Sequence, residues 1–360
     1  MLHLIIVLFP LFFMISEKKP KLALTLGDVA GIGPEIIVGG WSRIVQQENC
    51  IPIVYGNQSV IEKAIALLGS DCTVQPIDNP ELAEPSKNVI PCINYCSDDV
   101  LHVRPGEVSG IAGEAAYRSI VAATMYAISG KVDAIVTTPI NKQALNMAGC
   151  HFPGHTELIA SRCGVENFAM MLYLGPSATI QGTHGLAVVH VTLHRAMRTI
   201  FDEITPENVL AKIQLANDFM LKMKGQTPAI GICSLNPHAG EHGLFGHEEL
   251  NTIAPTVMLA REEGIHVSGP FPADTIMLKA RDGEFDAVVA MFHDQGHIAL
   301  KLLGMHQAVN ITLGLPIIRT SVAHGTAFDL AGQGMADPSS LVEAVRVATV
   351  LALAAQERGA

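Results

Sequence analysis

From Lys21 onward the chain alternates short, unbroken apolar runs with longer stretches of helical periodicity. That alternation is the signature of βαβ units around a parallel sheet. A strand covered on both faces has no polar side to show, so it reads as one continuous hydrophobic run, as in Ala287-Val288-Val289-Ala290-Met291. The runs predict strands at Leu22–Leu26, Pro52–Tyr55, Ala134–Thr137, Ala169–Leu174, Leu186–Thr192, Ala229–Ser234, Ala287–Met291 and Ala308–Thr312. Helices are expected at Glu35–Ile44, Val60–Leu68, Ile111–Ser129, Pro206–Met223, Leu250–Glu263 and Ser339–Gln356, with Gly69 and Gly264 as stops. The polar, proline-bearing stretch Asp71–Pro91 reads as a loop or edge-strand region. The fold class is α/β.

Composition narrows the function. A chain of 360 residues suits two packed domains. Its 23 basic and 34 acidic residues give a net charge of −11, which argues against a nucleic-acid surface. Seven cysteines without CxxC spacing make neither a disulfide framework nor a zinc ribbon, so a reduced, cytoplasmic protein is expected. Leu2–Ile15 is apolar apart from His3 and Pro10, yet shorter than the ~20 residues a spanning helix needs. It also lacks the basic start and small-residue cleavage site of a secretory signal. Residues 1–16 therefore read as an extension absent from the working protein, with a membrane-surface anchor as the alternative.

Three histidines fall at the ends of predicted strands: His190, His238 and His293. Ligands of open α/β sheets bind beyond the carboxyl ends of the strands, so three imidazoles delivered there are candidates for one metal site. An all-imidazole set favours Zn2+, Co2+, Ni2+ or Mn2+ over Mg2+, and three protein ligands leave positions open for substrate. Gly154-His155-Thr156 opens a short predicted helix, Glu157–Cys163, with Thr156 suited to the N-cap and the exposed N–H groups suited to an anion. Lys301, Asn310 and Arg319 follow. Arg319 comes directly after an apolar run, where an anionic ligand or an internal carboxylate would have to satisfy it. Gly27–Pro34 is a tight strand-to-helix turn with neither dinucleotide-fingerprint nor P-loop spacing. The long glycine-bearing loop His324–Pro338 is of a length that usually carries function.

Together these motifs resemble the 4-hydroxythreonine-4-phosphate dehydrogenase family of vitamin B6 biosynthesis. The resemblance rests on Ala30–Pro34, Gly154–Glu157, Leu235–Glu241, Pro272–Thr275, His293–Gly296 and Val309–Ser321, and runs from about Leu22 to the final helix. It implies an isocitrate/isopropylmalate dehydrogenase-like fold of two α/β/α domains with a largely parallel sheet. The nucleotide unit would be 17–150 plus 305–360, and the metal, substrate and dimerisation unit 151–304. It implies metal ligands His190, His238 and His293, the last completing the site of a partner subunit in a homodimer. Substrate contacts would be His155, Thr156, Lys301, Asn310 and Arg319; NAD or NADP would meet His324, Gly325 and Asp337. The reaction implied is oxidation of a phosphorylated hydroxy acid at a secondary alcohol, assisted by one divalent ion (Zn, Co, Mn or Mg, zinc favoured). Proton transfer would fall to Lys301, Asp274 or Asp294, among which the sequence does not choose.

Val29, His242 and Ala323 depart from the family's usual residues. They leave room for a sister activity on D-threonate or D-erythronate 4-phosphate, since specificity can turn on one or two pocket residues. A phosphate acyltransferase-like enzyme is a remoter reading, because it has no use for three histidines. Nucleic-acid and membrane partners are not expected.

Overall fold

In a computed structural model, which describes residues 18–47 and 49–359, the apolar runs become strands of one twelve-stranded sheet. Leu2–Ile15 lies outside the described residues. In chain order the strands are β1 (Lys21–Thr25), β2 (Ile51–Gly56), β3 (Thr73–Pro76), β4 (Val89–Asn94), β5 (Ala134–Thr137), β6 (Ala169–Leu174), β7 (Leu186–His190), β8 (Ile230–Cys233), β9 (Val267–Phe271), β10 (Ala287–Ala290), β11 (Val309–Leu313) and β12 (Ile318–Val322). They lie side by side as β3-β4-β2-β1-β5-β12-β11-β6-β7-β10-β8-β9. Strands β3 to β12 in that order pair parallel, as do β7-β10-β8-β9, and the two blocks meet through antiparallel pairings at β12–β11, β11–β6 and β6–β7. All eight predicted strands are present within two residues of their expected ends. Among them β1, β5, β7, β8 and β10 are buried throughout, as continuous apolar runs must be.

Three strands were not expected, β4, β9 and β12, while β3, at the edge of the sheet, is the edge strand that the Asp71–Pro91 stretch allowed for. Edge strand β9 contains Gly269 and Pro270, and edges are where a sheet tolerates proline. The helix His293–Gly304 was also unexpected, because its polar start reads as loop. The predicted helix Leu250–Glu263 opens instead with a π-helical turn, Glu249–Ile253, before Ala254–Glu262. The final helix, Ser339–Gly359, is long and apolar enough to cross a membrane, but it packs on β12, where Thr320 Oγ1 donates to the Ala344 carbonyl at 2.9 Å. Its apolar face is core.

The Gly27–Pro34 turn ties β1 to the helix Gly33–Gln47. At Gly27 (φ 71°) a Cβ would lie 2.3 Å from Thr138 Oγ1 and 2.4 Å from the Pro139 carbonyl, so only glycine fits. Next to it Asp28 is almost fully buried, with Oδ1 accepting from Ala30 N at 2.8 Å and Oδ2 without a partner. Burial pushes its carboxyl up to about 6, against the opposing backbone bonds of Ala30 and Asn141. A carboxyl raised in the folded state costs stability as pH climbs from about 4 through 6. Asp28→Asn is therefore expected to be the more stable protein at pH 8, by on the order of 2–3 kcal/mol at most, and to match wild type at pH 4. Thermal melts across that range check it; a pH-independent difference would refute the burial argument.

Candidate active site

A cleft of about 190 Å3 opens where the two parallel blocks meet. Its floor is the antiparallel strip of β12, β11 and β6: Asn310 of β11 is in register with Ser321 of β12 and Leu172 of β6, and all three line the cleft. Such a change of strand direction is where open α/β sheets leave a crevice for ligands.

One wall is the helix His155–Cys163. Leu158, Ile159 and Ala160 are buried, Leu158 and Ile159 against Ile120, which turns His155 and Thr156 of its first turn toward the cleft. Thr156 is not the N-cap; Gly154 precedes the helix in extended conformation, and the helix begins two residues earlier than its sequence suggested. The His155 ring bonds the Thr138 backbone, and its Nε2 is buried without a partner. Burial, with the nearby Arg319 charge, holds its pKa well below the usual imidazole value, so the ring is neutral.

Arg319 is 2% exposed. Nη1 donates to Thr312 Oγ1 at 3.0 Å and Nη2 to Thr137 Oγ1 at 2.7 Å, while Nε has no partner. Burial lowers its pKa to about 9, which the Glu157 charge opposes, and it stays protonated at neutral pH. Asn310 donates from Nδ2 to Met170 Sδ at 3.2 Å, leaving Oδ1 buried and unpartnered. Among the described residues, His155, Asn310 and Arg319 thus present three orphaned polar atoms from residues lining a single cleft. Buried polar groups are normally satisfied, so each marks a place for a ligand atom. Lys142 also lines this space.

The opposite wall carries imidazoles. His190 ends β7, and its Nε2 lies 3.1 Å from His297 Nδ1 on the helix His293–Gly304. His293 stacks on His297 with centroids 3.7 Å apart, lies 6.2 Å from His190 and 5.6 Å from His194, and holds Asp294 Oδ1 at 2.7 Å from Nδ1. Burial, with the other imidazoles, pushes His190 down to about 3; burial and the charges of His293 and Lys301 push His297 to about 4. Neutral rings are the form a divalent cation binds, so this donor chemistry fits the metal that the resemblance implies. His194 and His297 line the cleft and were missed from sequence. Once His293–Gly304 is known to be helical, the four-residue spacing of His293 and His297 puts both rings on one face.

His238 stands apart. Within one chain its ring neighbour is Phe245, at 6.4 Å, and among the described residues no group of three His, Cys, Asp or Glu side chains is arranged to hold a metal. Its segment, Pro237–Gly243, runs through left-handed backbone from His238 to His242, four of those five residues not glycine. Strain of this kind persists only where the surroundings enforce it. The buried Glu249 carboxylate holds the approach to this segment, accepting from Leu235 N and Asn236 N at 2.8 Å each and from Asn236 Nδ2 at 2.9 Å.

The remaining expected residues divide. His324 and Gly325 line the cleft. Asp337 does not; its Oδ1 accepts from Ser339 N at 3.0 Å at the start of the final helix. Lys301 lies one turn beyond His297 on the same helix. Asp274 is exposed in the first turn of Ala273–Arg281, and Asp294 is largely exposed.

Gly296 lets helix His293–Gly304 sit against β7. A Cβ there would come within 2.5 Å of His190 Nε2 and 2.6 Å of Val188 Cγ1. Glycine-to-alanine inside a helix ordinarily stabilises. Gly296→Ala should do the opposite, by about 1–3 kcal/mol, and displace His190. A melt as high as wild type's, with full turnover, would show the contact is not tight.

Comparison with known proteins identifies the family. A family model described as pyridoxal phosphate biosynthetic protein PdxA matches residues 48–348. The D-threonate 4-phosphate dehydrogenase of Cupriavidus necator is 43% identical, covering 94% of this chain and 98% of its own. The 4-hydroxythreonine-4-phosphate dehydrogenase of Trichlorobacter lovleyi is 40% identical over 94% and 99%. The crystal structure of 4-hydroxythreonine-4-phosphate dehydrogenase from Klebsiella pneumoniae superposes with a TM-score of 0.81 at 40% identity, covering 93% of this chain and all of that one. A match over most of the chain at this identity leaves one assignment: the protein belongs to the PdxA family and is a dehydrogenase.

Proposed function

We propose that the cleft performs metal-dependent, NAD(P)-linked oxidation of 4-phosphohydroxy-L-threonine to 2-amino-3-oxo-4-phosphooxybutanoate. That product is a β-keto acid, which loses CO2 to give 3-amino-2-oxopropyl phosphate in vitamin B6 biosynthesis. The supporting observation is the set of three orphaned atoms on His155, Asn310 and Arg319 around one cleft. Arg319 and Lys142 supply positive charge for phosphate and carboxylate, and the first turn bearing Thr156 supplies N–H and hydroxyl donors. Neutral His155 and Asn310 orient the substrate's hydroxyl groups without adding charge.

A divalent ion, zinc favoured over cobalt, manganese or magnesium, would be held by His190, His238 and, across a homodimer, His293 of the partner subunit, and would lower the pKa of the alcohol being oxidised. With a nicotinamide bound, the carbinol hydrogen would be given up to it as hydride, and the hydroxyl proton would go to the protein. We assign that proton to Lys301 Nζ, acting as the free amine after its own proton has passed to solvent, because its helix neighbour His297 lines the cleft while Asp274 and Asp294 face solvent. His324 and Gly325 would meet the cofactor, within a nucleotide unit of 17–150 plus 305–360, with 151–304 carrying metal, substrate and dimer contacts. No disulfide joins the seven cysteines, which suits the reduced cytoplasm.

A second reading, with D-threonate 4-phosphate or D-erythronate 4-phosphate as the substrate, is supported by the 43% identity to the D-threonate 4-phosphate dehydrogenase of Cupriavidus necator. Glu157, the one carboxylate lining the cleft among the described residues, counts the other way, as a partner for the ammonium group of 4-phosphohydroxythreonine. The deciding assay supplies each of the three phosphorylated acids with NAD+ or NADP+ and Zn2+ and follows cofactor reduction. Turnover of one or more is expected; silence with all three ends the reading.

A further inference from the structure

Loop 323–338, between β12 and the final helix, is tied to the segment 31–35 by hydrogen bonds at its front and its rear. At the front, the Thr326 carbonyl accepts from Ile32 N at 3.1 Å, an approach that Gly31 permits, since a Cβ there would sit 2.9 Å from that oxygen. At the rear, Glu35 reaches out of the first turn of the helix Gly33–Gln47. Its Oε1 accepts from Gly332 N at 2.6 Å and its Oε2 from Gly334 N at 2.9 Å. Glu35 is buried, so these are charge-assisted bonds shielded from water. Both glycines are left-handed, at φ 79° and 67°, and their N–H groups converge on the one carboxylate. Between the anchors the loop makes short internal turns, with Leu330 N and Ala331 N both donating to the Ala327 carbonyl.

The carboxylate spans two segments almost 300 residues apart in sequence and sets the path of the loop whose opening residues, His324 and Gly325, face the cleft. We propose that Glu35 is a positioning residue for the nicotinamide cofactor, fixing the rear of loop 323–338 so that its front presents a preformed binding edge. This rests on the reading of that loop as the dinucleotide site. Without the anchor the loop must be ordered at each binding event, which weakens cofactor affinity and leaves the phosphorylated substrate's own contacts untouched.

The test is calorimetric titration of NAD+ and NADP+ into wild type, Glu35→Gln and Glu35→Asp, alongside turnover with the active phosphorylated acid. In Glu35→Gln an amide N–H2 faces one of the two backbone donors; the dissociation constant of the preferred dinucleotide is expected to rise at least tenfold. Substrate KM and kcat at saturating cofactor should stay within about twofold. Glu35→Asp, which keeps the charge and loses reach, should fall between. Gly334→Ala has room for its methyl but a left-handed φ, so it strains the same anchor and should show the same signature even if Glu35→Gln fails to fold. Unchanged cofactor affinity in the folded variants, or equal loss of kcat and of affinity for both ligands, would overturn the proposal. If wild type binds neither dinucleotide, the dehydrogenase reading of the loop fails first and takes this one with it.

Discussion

Replacing Arg319 with Met is expected to keep or raise the stability of the ligand-free protein while removing its activity. The guanidinium is buried at the centre of the sheet, its bonds run to two threonine hydroxyls, and Nε has no partner. Among the described residues Arg319 makes no salt bridge, and the Glu157 charge offsets only part of the cost of taking it out of water. The depressed pKa is the same cost seen in protonation. Swapping buried charge for an apolar side chain of similar volume often stabilises by ~1–4 kcal/mol, from which about 1 kcal/mol per lost hydroxyl bond must be taken. With two such bonds the net lies between about −1 and +2 kcal/mol, its centre a small gain, so the melting temperature should be level with wild type's or up to a few degrees higher. An oxyanion bound against the guanidinium in wild type would be left without its counter-charge, a loss of ~3–5 kcal/mol, or roughly 10^2–10^4-fold in kcat/KM. Inorganic phosphate should raise the melting temperature of wild type and not of the variant. A lower melting temperature with turnover intact would make Arg319 a purely structural residue.

His238→Ala should separate activity from stability in the other way. The ring is exposed, so its removal should change the melting temperature by no more than about 0.5 kcal/mol allows. Turnover should nevertheless fall about a thousandfold, since a catalytic ion contributes several kcal/mol of charge stabilisation. Metal content, measured by equilibrium dialysis against Zn2+, should fall in parallel. This variant bears most on the metal site: within one chain His190 lies with His293 and His238 lies apart, whereas the proposed site groups His190 and His238 with His293 of the partner subunit. Full activity with full metal content would remove His238 from the site.

The fold was legible where burial is uniform. Strands such as Ala134–Thr137 and Ala169–Leu174 sit at their expected bounds because a run buried on both faces has only apolar residues to offer. Strands carrying another task were hidden: β12 holds Arg319 at its second position, β4 carries Pro91, and β9 carries Gly269-Pro270. The helix His293–Gly304 was hidden for the same reason, as it opens on the chemical residues His293, Asp294 and Gln295. At the site, His155, Thr156, Asn310 and Arg319 line one cleft, although Arg319 comes from β12, a strand the sequence hid, and Lys301 is not among the lining residues. Glu35 and Glu249 were not found. Each acts on a backbone distant in sequence, and no local pattern records a carboxylate whose partners are N–H groups elsewhere.

Metal dependence is the most direct test of the chemistry. Wild-type protein should be dialysed against a chelator, assayed with the active phosphorylated acid and NAD(P)+, then assayed again after Zn2+, Co2+ or Mn2+ is restored. The expected result is turnover that vanishes with the ion and returns with it, at an unchanged melting temperature. Undiminished oxidation by rigorously metal-free protein would contradict it, leaving the histidine-lined wall with no part in the reaction.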